Sequence, residues 1–263
     1  MKFDINFSLI NANLNIMYKK PSALCLLFLC FFSCKNLDHM SLLKQRTYKV
    51  IKLNSNLEID ANWDKPQWKD VESLLINNFK GNIPSFRPIV YMKMMYDEAN
   101  LYLIFKVKDK YVRCINTEIN GDVWEDSCVE FFFAPNLEYS NNYFNLEINC
   151  GGTPLMFYNE PNKDYKPLPV ELIKGIKIAH SLPVRIDSEI KENITWTLEY
   201  KLPLSIINKY LEFEEPKKGV IWKVNFHKIA ENNSNPHYIT WSPIGGEEPN
   251  FHQPEYFGNI EFN

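Results

Sequence analysis

Glycine is scarce, with 9 in 263 residues, and the 16 prolines are scattered through stretches that read as loops. No internal repeat and no low-complexity segment is present. Cysteine is sparse and irregular. Of six cysteines, Cys114, Cys128 and Cys150 lie beyond the first 34 residues. An odd number at uneven spacing is neither a disulfide framework nor a zinc site, so buried thiols are expected. The longest apolar run, Ala23–Phe32, has ten residues, whereas a membrane-spanning helix needs about 20. No basic cluster or stripe exists, which argues against a nucleic-acid partner. Helical periods of 10–15 residues between strands are also missing, so a parallel α/β fold is not expected.

Aromatics, in contrast, make up 14%, as 14 Tyr, 18 Phe and 6 Trp. They favour strands, and they also supply flat faces for stacking on ligands. At the N-terminus, Lys19 and Lys20 precede the apolar run, and Ser33-Cys34 follows it. That order reads as a signal peptide over residues 1–33. Phe31-Phe32-Ser33-Cys34 resembles a bacterial lipobox, which implies lipidation of Cys34 and a membrane anchor on an exported protein. Residues 1–16 are unlike an n-region and mark Met17 as the expected true start. Without residues 1–33, which hold Lys2, Lys19, Lys20 and Asp4, 26 basic and 31 acidic side chains remain, a net charge of −5. Residues 34–50 are polar and aperiodic, as expected of a tether.

From there on the signals are strands. Leu101, Leu103, Phe105 and Val107 alternate with Tyr102, Ile104, Lys106 and Lys108. The same period of two runs through Cys128–Phe133, Tyr143–Cys150, Ile194–Leu202 and Val220–Lys228. Ile89–Tyr96 is a compact apolar run, and Tyr238–Trp241 and Gly258–Phe262 add shorter ones. Helical turns are expected only near Asp64–Asp70 and Pro203–Tyr210. Many alternating strands with polar loops predict an all-β fold: one antiparallel, jelly-roll-like β-sandwich over residues 51–263. Leu103, Phe105, Val129, Phe131, Leu146, Ile148, Trp196, Leu198 and Val224 form its expected core.

The polar parity of the middle strands puts Glu130, Asn145, Glu147, Asn149, Lys223, Asn225 and His227 on one outward face. Such a face either is simply solvated or hydrogen-bonds a ligand rich in hydroxyls. Trp124 sits in the acidic loop Asn120-Gly121-Asp122-Val123-Trp124-Glu125-Asp126, and Phe251 in Glu247-Glu248-Pro249-Asn250-Phe251-His252. Each ring is either a loop anchor folded inward or an exposed stacking plate.

Four segments resemble a known family. Ile59-Asp60-Ala61-Asn62-Trp63-Asp64-Lys65-Pro66-Gln67-Trp68 is similar to an opening I-D-G-x-x-D-E-x-x-W. Asp97-Glu98-Ala99-Asn100-Leu101-Tyr102-Leu103 is similar to D-x-x-x-L-Y-V. Trp124-Glu125-Asp126-Ser127-Cys128-Val129-Glu130-Phe131-Phe132 is similar to W-x-x-D-S-V-E-x-F, with Asp126-Ser127-Cys128 in the place of its x-D-S. Phe257-Gly258-Asn259-Ile260 matches the close. These are motifs of the family 9 carbohydrate-binding modules, and they span residues 59–260. The resemblance implies a non-catalytic β-sandwich that holds a sugar between two aromatic rings, in the service of carbohydrate catabolism. Trp124 aligns with one ring, Phe251 falls near the second, which is a Trp in the best-known branch, and Glu130 aligns with a carboxylate that bonds hydroxyls. Glu147 falls where that branch has an Arg. Family members also hold structural calcium, for which Asp122, Glu125 and Asp126 are the acidic loop residues here.

Two other classes stay open. A glycoside hydrolase acting on O-glycosyl bonds would use Glu130 and Glu147 as acid and base, about 5–9 Å apart. A haem-binding sandwich would draw axial ligands from His227 and Met92, Met94 or Met95, although no Cys-x-x-Cys-His motif is present.

Overall fold

Period-2 alternation gives each strand two chemically different faces, and the chain stacks the apolar ones. The computed structural model describes residues 46–163 and 165–263, which belong to one compact unit, Gln45–Asn263. The signal peptide, Cys34 and most of the expected tether lie outside the described residues.

The strands in chain order are β1 (Thr47–Lys52), β2 (Leu74–Ile76), β3 (Asn78–Lys80), β4 (Ile89–Tyr96), β5 (Asn100–Asp109), β6 (Val112–Cys114), β7 (Cys128–Ala134) and β8 (Tyr143–Asn149). They continue as β9 (Pro154–Asn159), β10 (Lys166–Pro167), β11 (Lys177–His180), β12 (Ile186–Ile190), β13 (Ile194–Pro203), β14 (Ile221–Ala230), β15 (His237–Thr240) and β16 (Gly258–Phe262). Helices are single turns, Pro66–Lys69, Val170–Ile173 and Leu204–Ile207.

The front layer runs β10-β9-β8-β7-β14-β16-β1 and the back layer β1-β4-β5-β13-β11, with β2 on β4. Strand β1 belongs to both. Its Thr47–Val50 half pairs with β16 and its Ile51–Lys52 half with β4. Both pairings are parallel, so the otherwise antiparallel expectation needs this correction. The domain also starts earlier than residue 51, because Thr47–Val50 is strand and not tether. Beyond β16, the far half of β14 pairs with β15, which pairs with β3.

Between the layers, every expected core residue is buried in one cluster, Phe131 and Trp196 fully so. Phe131 stacks on Phe226 at 5.2 Å and on Phe133 at 4.5 Å. Burying one such side chain is worth about 1.5–3 kcal/mol relative to exposing it.

The back layer's outer face is closed by the opening segment. Tyr102 and Ile104 of β5 pack there with Ile59, Trp68 and Val71. At its centre Glu199 of β13 is fully buried. Its Oε2 accepts from the Asp60 and Ala61 amides and from Lys65 Nζ, and its Oε1 accepts from Trp68 Nε1. Ala61 takes a left-handed φ of 60° to present its amide, a conformation that favours glycine. The opening motif is therefore a clamp on one carboxylate. The second motif is a turn: Asp97 accepts from the Ala99 and Asn100 amides and from the Tyr102 hydroxyl.

Candidate functional site

On the front layer's outer face, strand register decides which polar groups meet. Glu130 of β7 lies opposite Glu147 of β8 on one side and His227 of β14 on the other. Phe132 lies opposite Asn145 and Asn225. All six point away from the inter-sheet core. The 3₁₀ turn Val123–Glu125 and the segment after β15 cover much of this face, with Phe132, Tyr143, Leu155, Ile229, Phe251 and Phe257 forming an apolar cluster beneath them.

A cavity of about 430 Å³ remains. Trp124, Glu130, Glu147 and Phe251 all line it, so four of the sequence-predicted site residues converge. Trp124 is half-buried on its turn. That turn is pinned by the next residue, Asp126, which accepts from the Ile115 and Asn116 amides and from Asn149 Nδ2, each at 2.9 Å. Asp126 is thus an internal anchor of the turn, whereas the sequence grouped it with Asp122 and Glu125 as the acidic loop residues for calcium. Among the described residues no group of three or more His, Cys, Asp or Glu is arranged to hold a metal ion.

Asn225 and His227, also expected at the site, do not line the cavity. Asn225 is fully buried and ties the covering segment down. Its Oδ1 accepts from the Ser242 amide and its Nδ2 donates to the Ser242 carbonyl. His227 lies flat under Phe251, with ring centroids 4.1 Å apart and planes 6° off parallel. Phe251 is itself buried, so one of its faces is committed to His227. Burial holds the His227 pKa well below its usual 6.5, leaving the ring neutral. Nor do the haem candidates converge. Met92 and Met94 are in the inter-sheet core, and Met95 packs on the back layer's outer face.

Neither carboxyl on the floor is ordinary. Glu130 is 2% exposed, and its Oε2 has no hydrogen-bond partner. Burial first, then the neighbouring Glu147 and Glu231, push its pKa well above the usual carboxyl value. Burial likewise raises Glu147 to about 7, opposed by a hydrogen bond from Asn145 Nδ2 at 2.8 Å. At neutral pH the pair holds protons that surface carboxyls would have lost.

The sequence reading missed Asn159, Tyr165, Glu231 and His252, which also line the cavity. Glu231 was within reach, because it continues the parity of Asn225 and His227 past the end of β14. Asn159 was not, because β9 is buried along much of its length and shows no alternation.

The model of carbohydrate-binding family 9 matches residues 58–262. Comparison with curated proteins finds no match. Among solved structures, the chain is similar to a candidate carbohydrate-binding protein from Bacteroides uniformis, with 28% identity and a TM-score of 0.75, over 84% of this chain and 100% of that one. It is also similar to a family 9 carbohydrate-binding module from Caldicellulosiruptor kristjanssonii in complex with cellotriose, at 16% identity and a TM-score of 0.55, over 82% and 93% of the two chains. The glucose complex of a family 9 module from that organism gives 17%, 0.53, 83% and 96%. The last two likenesses are in fold.

Proposed function

The chain belongs to carbohydrate-binding family 9, and we propose that the cavity on its front layer binds a saccharide. One observation carries this: Trp124 and Phe251 line the same cavity as Glu130 and Glu147. A pyranose has apolar C–H faces and a polar rim. The two aromatic side chains suit the faces. The carboxyls suit the hydroxyls, since a carboxyl that holds its proton donates through one oxygen and accepts through the other. We read the site as one that holds and does not cut. Glu130 and Glu147 are cross-strand neighbours on one floor, whereas glycoside hydrolysis needs carboxyls flanking the scissile bond.

The same reading includes export, cleavage before Cys34 and lipidation of its thiol, with capture of saccharide serving carbohydrate catabolism. A glycan array probed with the purified chain tests the binding. Retention of at least one oligosaccharide class is expected, and a blank array contradicts the proposal. Mass spectrometry of membrane-extracted protein tests the anchor. An acyl increment on Cys34 is expected, and a dominant unmodified peptide across Ser33-Cys34 refutes it.

A further inference from the structure

Two buried oxygens on the cavity floor have no partner inside the protein. The floor's amide orientations are fixed from one end. Asn159 Nδ2 faces the Tyr143 backbone carbonyl at 3.3 Å, and a carbonyl can only accept, so the nitrogen must lie on that side. The same nitrogen donates to Asn145 Oδ1 at 2.6 Å. Asn145 Nδ2 is thereby turned to Glu147 Oε1. Both protons of the Asn159 amide are used inside the protein, and Asn145 directs its nitrogen at Glu147. Among the buried side-chain atoms of the cavity-lining residues, Asn159 Oδ1 and Glu130 Oε2 remain. Both are buried without a partner, on residues 3% and 2% exposed.

Charge points the same way. Glu130, Glu147 and the exposed Glu231 line the cavity, and among the described residues no Lys or Arg does. His252 also lines it, but burial lowers its pKa to about 4, and its Nδ1 engages the Tyr143 hydroxyl at 2.8 Å. The nearest buried cation, Lys228, is at the opposite parity of β14. There it meets His237 Nε2 at 2.7 Å, the Ile229 carbonyl and Asp109.

Resting on the saccharide reading above, we infer that the preferred ligand is a cationic sugar: a 2-amino-2-deoxyhexose residue with a free ammonium, as in a deacetylated amino-sugar oligomer. An ammonium brings three donors and no acceptor, the complement of this floor. It also compensates carboxyls that would otherwise need protons to stay neutral. Trp124 adds an aromatic face of the kind that attracts cations. Uronate and sulfated sugars are disfavoured by the same three carboxyls.

Titration calorimetry on the purified full chain separates the possibilities. A glucosamine tetrasaccharide, its N-acetylated counterpart and a cello-oligosaccharide of equal length are compared at about pH 6.5 and about 0.15 M salt, where the amine is charged and loose surface attraction is screened. The deacetylated sugar should bind roughly tenfold or more tighter than either neutral sugar. Glu130→Gln should bring that ratio towards one, and Glu231→Gln, at an exposed position, should reduce it without risk to folding. Equal or tighter binding of the N-acetylated or cello sugar overturns the amino-sugar inference and leaves the saccharide reading standing. An unchanged ratio in both variants also overturns it. No binding by any of the three sugars, with a blank array, removes the saccharide reading itself.

Discussion

Each outer face of the sandwich holds a buried glutamate, and the two are treated in opposite ways. Glu199 on the back layer has four donors aimed at it from one segment, two amides, Lys65 and Trp68. Glu130 on the front layer has an oxygen with no partner and a second buried carboxyl, Glu147, across the strand pair. A buried carboxylate is tolerated when it is hydrogen-bonded and paired, and it costs stability when it is not. The chain has satisfied one of these groups and left the other open to a cavity. The first is a structural fastener, and the second is, on the proposed saccharide reading, the group that meets the ligand's donors.

The largest effect is expected from breaking the satisfied site. Glu199→Ala takes the acceptor from the Asp60 and Ala61 amides and Trp68 Nε1 and leaves Lys65 only Asp60 and the Glu58 carbonyl, at a cost of about 3–5 kcal/mol. In a domain of this size that lowers the melting temperature by roughly 6–20 °C. A fall of less than about 2 °C in thermal unfolding would erase the contrast. Trp124→Ala comes next. Its ring is half-buried at the cavity rim, so melting should shift by only a few degrees while binding to the array-identified glycan is lost. A large fall in melting with binding intact would make Trp124 an anchor.

The smallest effect sharpens the comparison through pH. Glu147 is raised from 4.5 to about 7. Below pH 4.5 both the folded and unfolded chains hold this proton. As pH rises towards 7 the unfolded chain ionises first, so stability is lost on the alkaline side. His237 and His252 work in the opposite direction. They are lowered from 6.5 to about 3 and about 4 by burial, and so they withdraw stability as pH falls below 6.5. Glu130→Gln should therefore raise melting by about 2–4 °C near pH 8, with little change near pH 5. Equal changes at both pH values would show that Glu130 does not couple to Glu147.

Much of this was legible in the chain. Alternation located β5, β7, β8, β13 and β14 nearly to the residue, because each long strand separates an inner apolar row from an outer one, and plain apolar runs located β4 and β16. The short strands β2, β3, β6 and β10 have too few residues for a period, and the parallel pairing of β1 depends on contacts distant in sequence. The site was half legible. Parity put Glu130, Glu147, Asn225 and His227 on one face, as the structure has them. It could not show that Phe251 would lie on His227 and that Ser242 would fasten Asn225, because coverage by a loop leaves no periodic signal. The motifs behaved likewise. Trp124 and Glu130 line the cavity, whereas Asp126, between them in sequence, turns inward to hold the turn.

The central claim is that the front-layer cavity is the saccharide site. Calorimetric titration of the Trp124→Ala, Glu130→Ala double variant tests it most directly, using the glycan that binds the unaltered chain best. A folded double variant, confirmed by cooperative melting, should give no measurable heat of binding. Full-strength binding by that folded variant would contradict the assignment.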